Sequence, residues 1–318
     1  MLSSRGVSSA TSLDLTVNVG ALHLPSPVLA ASGTFGYGLE FAHLVDLSRL
    51  GGFVTKGISL EPIEGAPSPR HCETPSGMLN AVGLQNVGVE QFVSGKLPLL
   101  RKYNTNVIVN VFGYCLEEYA SVIQRLEDAE GIAAYELNIS CPNVKQGGMQ
   151  FGSNPAMVEE VVRAARKVAR KRPLWVKLMP LVTDIGLIAK SAEAAGADVL
   201  TVANTYPAMS VDSRTGKSRW GNLTGGLSGP AIRPITVRQV WESKKAVKIP
   251  IIALGGIETV EDILEYLAVG ASAVQVGTAS FADPSISEEL SAGLGRAISE
   301  ANVLTISELR EKIAVTFG

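Results

Sequence analysis

Short apolar runs recur eight times along this chain of 318 residues, and nearly every one stops at a polar or glycine residue suited to ligand contact. They are SPVLAAS ending at Ser32, GFVTKG at Lys56, NVIVNVFG at Asn110, YELNIS at Asn138, LWVKL at Lys177, VLTVANT at Asn204, PIIALGG at Gly255 and Gly256, and AVQVGT at Gly277 and Thr278. Continuous apolar runs of this length are what strands buried on both faces require. Helical patterns lie between most of them, so the repeating unit is strand then helix. The expected fold class is α/β, a closed TIM (β/α)8 barrel, whose active site is built at the carboxyl ends of the strands. Two lysines and three asparagines would then converge on one mouth.

Composition agrees with a large enzyme. The chain exceeds the usual barrel length of about 250 residues by enough to admit insertions. Hydrophobic residues make up 46% and charged residues 18%, and there are 32 glycines, which suits buried parallel strands and tight loops. With 28 basic and 30 acidic residues the net charge is −2, so nothing points to nucleic acid or an anionic membrane as partner. Cys72, Cys115 and Cys141 are far apart and odd in number, which argues against a disulfide framework or a cysteine-built metal cluster and for a reduced, cytoplasmic setting. No metal site is expected.

Residues 1–12 are small and polar without an apolar core; they read as a flexible tail, not a secretory signal. No stretch approaches the roughly 20 apolar residues that span a bilayer. Residues 13–318 are expected to form a single barrel domain. Leu15 to Val19 and Leu22 to Leu24 alternate around Gly20, a hairpin closing the barrel's bottom. Helices are clearest at Pro155 to Arg170, after an Asn154 cap, and at Val260 to Ala268, after Thr259. The spans Gly57 to Asn106 and Thr205 to Pro250 are too long for simple crossovers, and each is read as a functional insertion without a core of its own.

The last two strands open a phosphate cradle. Gly255-Gly256 and Gly277-Thr278 offer unobstructed backbone N–H groups, and the helix starting near Thr259 adds a positive dipole end. Gly225-Gly226 and Gly229 could extend it. Lys177 ends an apolar strand, so its ammonium should point into the mouth; there it could stabilise a reduced flavin, a phosphorylated enolate, or act as a Schiff-base nucleophile. Lys56 invites the same range of roles. Between Glu136 and Gly152, Asn138 can hydrogen-bond a planar heterocycle and Asn143 follows Cys141-Pro142. A thiol with an ordinary pKa of about 8.5 can accept a proton when held against its target. The loop VKQGGMQFG could fold over a ligand.

NISCPN, VKLMP, MLNAVGLQN, VANTY, TGGLSGPAIRP, IIALGGI and VQVGTA together resemble the catalytic subunit of class 1B dihydroorotate dehydrogenase, from about Leu15 to about Ala282. The resemblance implies one FMN per chain and oxidation of dihydroorotate to orotate in pyrimidine biosynthesis. Cys141 matches the base that takes the C5 proton while the C6 hydride passes to flavin N5. Lys56, Asn80, Asn138, Asn143, Asn204 and Thr205 match positions that hold the pyrimidine and its carboxylate, with N–H donors from Gly83 and Leu84. FMN is implied against Ser32, Lys56, Asn110, Asn138, Lys177, Gly229, Gly255, Gly256, Gly277 and Thr278.

Members of this class pass electrons to NAD through a partner subunit that holds FAD and a [2Fe–2S] cluster, as a homodimer within a heterotetramer. This chain has no G-x-G-x-x-G after a strand and no clustered cysteines to supply either group. The fumarate-using class 1A also has a cysteine base; the choice of 1B rests on likeness in MLNAVGLQN and VANTY. Three further functions fit parts of the same pattern: a flavin-free lysine-dependent aldolase or isomerase, a non-catalytic binding subunit, and a barrel of the dihydropyrimidine dehydrogenase type. Cys141→Ala is expected to abolish reduction by dihydroorotate while FMN stays bound, checked by the flavin absorbance of the purified variant before and after substrate.

Overall fold

The computed structural model describes residues 13–140, 142–143 and 149–316, with only the backbone of 142–143 and 149–150. Eight parallel strands form its centre: β1 Val28–Ala30, β2 Gly52–Val54, β3 Val107–Val111, β4 Ala134–Asn138, β5 Leu174–Lys177, β6 Val199–Val202, β7 Ile251–Leu254 and β8 Ala273–Val276. Each pairs with the next in chain order, and β8 pairs back on β1 through Val274↔Val28 and Val276↔Ala30, so the barrel is closed. This is the expected (β/α)8 barrel. In five of the eight runs the ligand-suited end residue lies past the strand. Ser32, Lys56 and Asn204 lie two residues beyond it, on the loops that leave the ladder, while Asn110 lies within its strand and Asn138 and Lys177 are the last strand residues.

α-Helices cover the outside, among them α1 Leu116–Glu127, α2 Pro155–Val168, α3 Ile185–Ala194, α4 Arg233–Ala246, α5 Val260–Ala268 and α6 Ile286–Glu300. The caps read from the sequence are formed: the Asn154 side chain accepts from the Ala156 N–H, and Thr259 and Asp262 make a reciprocal capping box. α2 stops at Val168, two residues short of the predicted Arg170. The N–H groups of Arg170 and Lys171 donate instead to the Glu127 carboxylate, at 3.2 and 3.0 Å, which draws the chain off the helical path.

The barrel's lower interior is a cluster of its own, made of Leu29, Val54, Ile108, Ala134, Trp175, Val199, Ile252 and Ala273 with Val19 and Leu24. The last two come from the antiparallel hairpin Val17–Val19 and Leu22–Leu24, turned at Gly20 with φ +61°, and both are fully buried. The hairpin thus closes the bottom, as its alternation predicted.

The two long insertions, read from the sequence one by one, meet in the structure. They are not independent elements: Tyr206–Ala208, Gly225–Ser228, Gly77–Asn80 and His71–Thr74 form one antiparallel four-stranded sheet. Its central seam joins the insertions through Gly226↔Asn80, Leu227↔Leu79 and Ser228↔Met78. Gly225 and Gly226 belong to this sheet and not to the phosphate cradle. A Cβ on Gly225 would come within 1.9 Å of the Trp220 ring, and one on Gly226 within 2.1 Å of Thr205 Oγ1, so both positions must stay bare for the sheet to pack.

Leu24→Ala should lower stability by about 2–5 kcal/mol, the usual cost of emptying a buried leucine site, without altering the opposite end of the barrel. Urea unfolding checks the loss.

Candidate active site

The carboxyl ends of the strands and the insertion sheet enclose a cavity of about 380 Å³. Its walls include Ser32, Lys56, Asn80, Gly83, Leu84, Asn110, Asn138, Lys177, Asn204, Thr205, Gly229, Gly255, Gly256, Gly277 and Thr278. Apart from Gly225 and Gly226, the fold therefore brings together every predicted site residue that lies within the described side chains. Cys141 lies outside the described residues, as does the side chain of Asn143. Ser140, which precedes Cys141, lines the cavity, and the Pro142–Asn143 backbone pairs antiparallel with Met149–Gln150.

Asn110 and Lys177 line the floor, and beneath them lies a buried polar layer. Glu136 on β4 is 0% exposed and accepts hydrogen bonds from Asn110 Nδ2 at 2.7 Å, Thr201 Oγ1 at 2.9 Å and Gln275 Nε2 at 2.7 Å. Lys177 on β5 is 5% exposed, and its Nζ donates to Ser32 Oγ at 3.0 Å. Burial pushes the Lys177 pKa below the usual lysine range, and the negative charge of Glu136 opposes that push.

A row of amides forms one wall. Asn204 Nδ2 donates to Asn138 Oδ1 at 3.2 Å and to Ser140 Oγ at 3.0 Å, and Asn204 Oδ1 accepts from the Thr205 N–H at 2.8 Å. Tyr119 Oη donates to the Asn138 carbonyl at 2.7 Å, fixing the end of β4. Asn80 is held from the insertion sheet by the hydrogen bond that its Nδ2 donates to the Gly226 carbonyl, 3.2 Å. Beside it Gly83 and Leu84 both have positive φ, +71° and +56°. A left-handed leucine costs on the order of 1–3 kcal/mol, and such strain concentrates at ligand sites.

The opposite wall is the predicted cradle. Gly256 has φ +67°, and a Cβ there would lie 2.7 Å from the Gly229 carbonyl oxygen, so the two glycine loops approach as closely as bare backbone allows. Tyr266 Oη donates to the Gly255 carbonyl at 2.6 Å, and Thr278 Oγ1 lies 2.7 Å from Ser228 Oγ. The dipole end of α5 contributes less than expected. The Asp262 carboxylate, itself paired with Arg233, accepts from the N–H groups of Glu258 and Thr259, so those donors are taken up within the helix cap. The glycine loops remain the donors that line the cavity itself, through Gly229, Gly255, Gly256 and Gly277.

At the rim stand Lys56 and His71, and the charge of Arg70 acts on both. Burial, reinforced by the Arg70 charge, lowers the Lys56 pKa, with Glu40 opposing; burial and then the charges of Lys56 and Arg70 lower that of His71. The His71 ring packs against Phe281, 5.3 Å between centroids. Sequence reasoning missed Glu136, Thr201, Gln275, Ser228, Arg70 and His71. An acid and an amide inside otherwise apolar strands, in YELN and AVQV, were the signals available. Among the described residues no group of three or more His, Cys, Asp or Glu side chains is placed to hold a metal ion, and no helix is long and apolar enough to cross a membrane.

A family model described as dihydroorotate dehydrogenase matches residues 14–298. The chain belongs to the dihydroorotate dehydrogenase family. It is 53% identical over 93% of its length to a Pelobacter propionicus protein named dihydroorotate dehydrogenase B (NAD(+)), catalytic subunit, of which 97% is covered. A Trichlorobacter lovleyi protein of the same name is 50% identical at the same coverage of both chains. A Solibacter usitatus relative, provisionally named dihydroorotate dehydrogenase A (fumarate), is 51% identical, again covering 93% of this chain and 97% of that protein. Among solved structures, ferulenol-bound dihydroorotate dehydrogenase from Eimeria tenella superposes with a TM-score of 0.79 at 22% identity, covering 95% of this chain and 89% of that one. That likeness extends to the barrel fold of the dihydroorotate dehydrogenases.

Lys56→Met removes one of the two positive charges that depress His71. The His71 pKa should then rise toward the ordinary histidine value but stop short of it, because burial and Arg70 remain; a ring-proton NMR titration with an unmoved His71 midpoint would contradict this.

Proposed function

We propose that this chain is a catalytic subunit that oxidises (S)-dihydroorotate to orotate in de novo pyrimidine biosynthesis, using bound FMN. The observation that carries the reading is the convergence, in one cavity, of a buried cation on the floor, an amide wall and a two-loop glycine cradle. This donor set suits FMN. The bare backbone of Gly229, Gly255, Gly256 and Gly277 admits a phosphate, Ser32, Asn110, Asn138 and Lys56 offer donors along a flat ring, and Lys177 supplies a cation where the ring gains charge. The kinship with proteins named for this reaction agrees.

Bound FMN would supply the two-electron acceptor. The chain's own residues supply the remaining requirements. Asn80, Asn138, Asn143 and Asn204 present amide donors and acceptors to a planar imide, with Thr205 beside them. Lys56, with the N–H groups of Gly83 and Leu84, meets the substrate carboxylate. Cys141, next to the cavity-lining Ser140, takes the C5 proton. The insertion sheet covers the mouth and limits water.

Electrons leave through an electron-transfer subunit that carries FAD and a [2Fe–2S] cluster and reduces NAD, in a cytoplasmic heterotetramer built on a homodimer of this chain. The relatives named as B-type catalytic subunits support that route. A second reading, direct use of fumarate, is favoured by the Solibacter relative.

An anaerobic absorbance titration tests the assignment. A flavin band bleached by dihydroorotate is expected, with reoxidation by NAD only when the electron-transfer subunit is added. Rapid reoxidation by fumarate alone would select the second reading. A colourless protein that cannot be reconstituted with FMN would overturn both.

A further inference from the structure

Glu136 is a buried acid that neither the amide wall nor the glycine cradle uses. Its three donors, Asn110, Thr201 and Gln275, come from β3, β6 and β8, so the carboxylate is held at the barrel axis from three sides. All three are neutral. They orient the carboxylate and replace its water, but they do not balance its charge. Among the described residues the cation of the same interior is Lys177. Register places it close by: Lys177 pairs with Asn138, and Glu136 lies two residues earlier on β4, on the same inward face.

Lys177 has the complementary problem. Its ammonium is buried, and its one hydrogen-bond partner among the described residues, Ser32 Oγ, is neutral. Lys56, His71 and Glu258 share the cavity at its rim. The charges felt by Lys56 are those of Arg70 and Glu40, and those felt by His71 are Lys56 and Arg70. The charge that favours the protonated form of Lys177 is that of Glu136. The two groups make no direct ion pair, because the carboxylate oxygens are tied to β3, β6 and β8. An ammonium has three N–H donors, and Ser32 takes one, so the cation keeps capacity toward the cavity that a direct pair would have consumed.

We propose that Glu136 is a positioning residue for the flavin site, holding Lys177 protonated at the cavity floor so that a cation is already in place when negative charge arrives on the cofactor. Stabilisation of this kind is most effective when the charge is preorganised in a site shielded from water. The coupling between Glu136 and Lys177 is a property of the chain itself; its use toward FMN rests on the function proposed above.

The coupling is tested without cofactor. A lysine with a lowered folded-state pKa binds fewer protons folded than unfolded, so stability rises with pH from that folded pKa up to the ordinary lysine value of about 10.4. The Lys177 contribution is isolated by comparing each cofactor-free chain with its Lys177→Met counterpart in denaturant unfolding across pH. In Glu136→Gln the rise should begin at a pH lower by about one unit or more, a tenfold change in proton concentration. Glu136→Asp, which keeps the charge, should restore most of the native onset. Equal onsets in the native chain and Glu136→Gln would overturn the proposal. Should Glu136→Gln fail to fold, Glu136→Met, which also removes the charge, takes its place with the same expected shift and the same overturning result.

In the FMN-loaded protein the midpoint potential of Glu136→Gln should show extra proton uptake on reduction, beginning at a lower pH than in the native protein. A potential curve parallel to the native one at every pH would refute the role toward the cofactor. Failure of the native chain to bind FMN would instead strike the functional reading, leaving the cofactor-free comparison to judge the coupling.

Discussion

The pairing of β8 on β1 is the contact on which the rest of this protein depends. Val274↔Val28 and Val276↔Ala30 join segments from opposite ends of the chain and leave the sheet with no edge. Closure seals the interior, so the lower layer around Trp175 and Ile252 packs against itself and needs only Val19 and Leu24 to shut it. The same closure aims the strand ends at one point. Ser32 at the end of β1 could not reach Lys177 on β5 across an open sheet.

Above that ring, the insertion sheet turns an open rim into a cavity. Its seam of three residue pairs joins a strand from the loop after β2 to one from the loop after β6. Asn80 is positioned by this seam, since its amide grips the Gly226 carbonyl. Asn80 on the roof of the cavity is thus held by backbone pairing and not by its own loop alone, which makes its position rigid. The left-handed Leu84 and the bare Gly225 are local costs of that arrangement.

The charge layout follows the same logic. A barrel floor without polar groups would be easier to bury, yet this one holds an acid and a base in separate hydrogen-bond settings. Neutral donors solvate Glu136, and Lys177 is left facing the cavity. At the rim, Lys56 and His71 are both depressed by burial and by neighbouring cations, so positive charge there is spread over several groups and responds to any anion that enters. The helix dipole plays a smaller part, because the capping box between Thr259 and Asp262 already occupies the N–H groups of Glu258, Thr259 and Asp262.

The sequence alone determined the number and order of the strands, the hairpin beneath them, the caps of α2 and α5 and most of the residues at the mouth. Each of these is written in near neighbours: an apolar run ending on Lys56 or Asn204, an asparagine before a proline, a glycine between alternating segments. Glu136 and Gln275 interrupted their runs visibly, but their partnership, 139 positions apart, could not be read from either run. The union of the two insertions was hidden for the same reason, as Asn80 meets Gly226 across 146 positions. Only tertiary structure decided these contacts. Alternation and capping are local consequences of backbone geometry, whereas which buried polar groups meet depends on barrel closure, which brings distant strands to one axis.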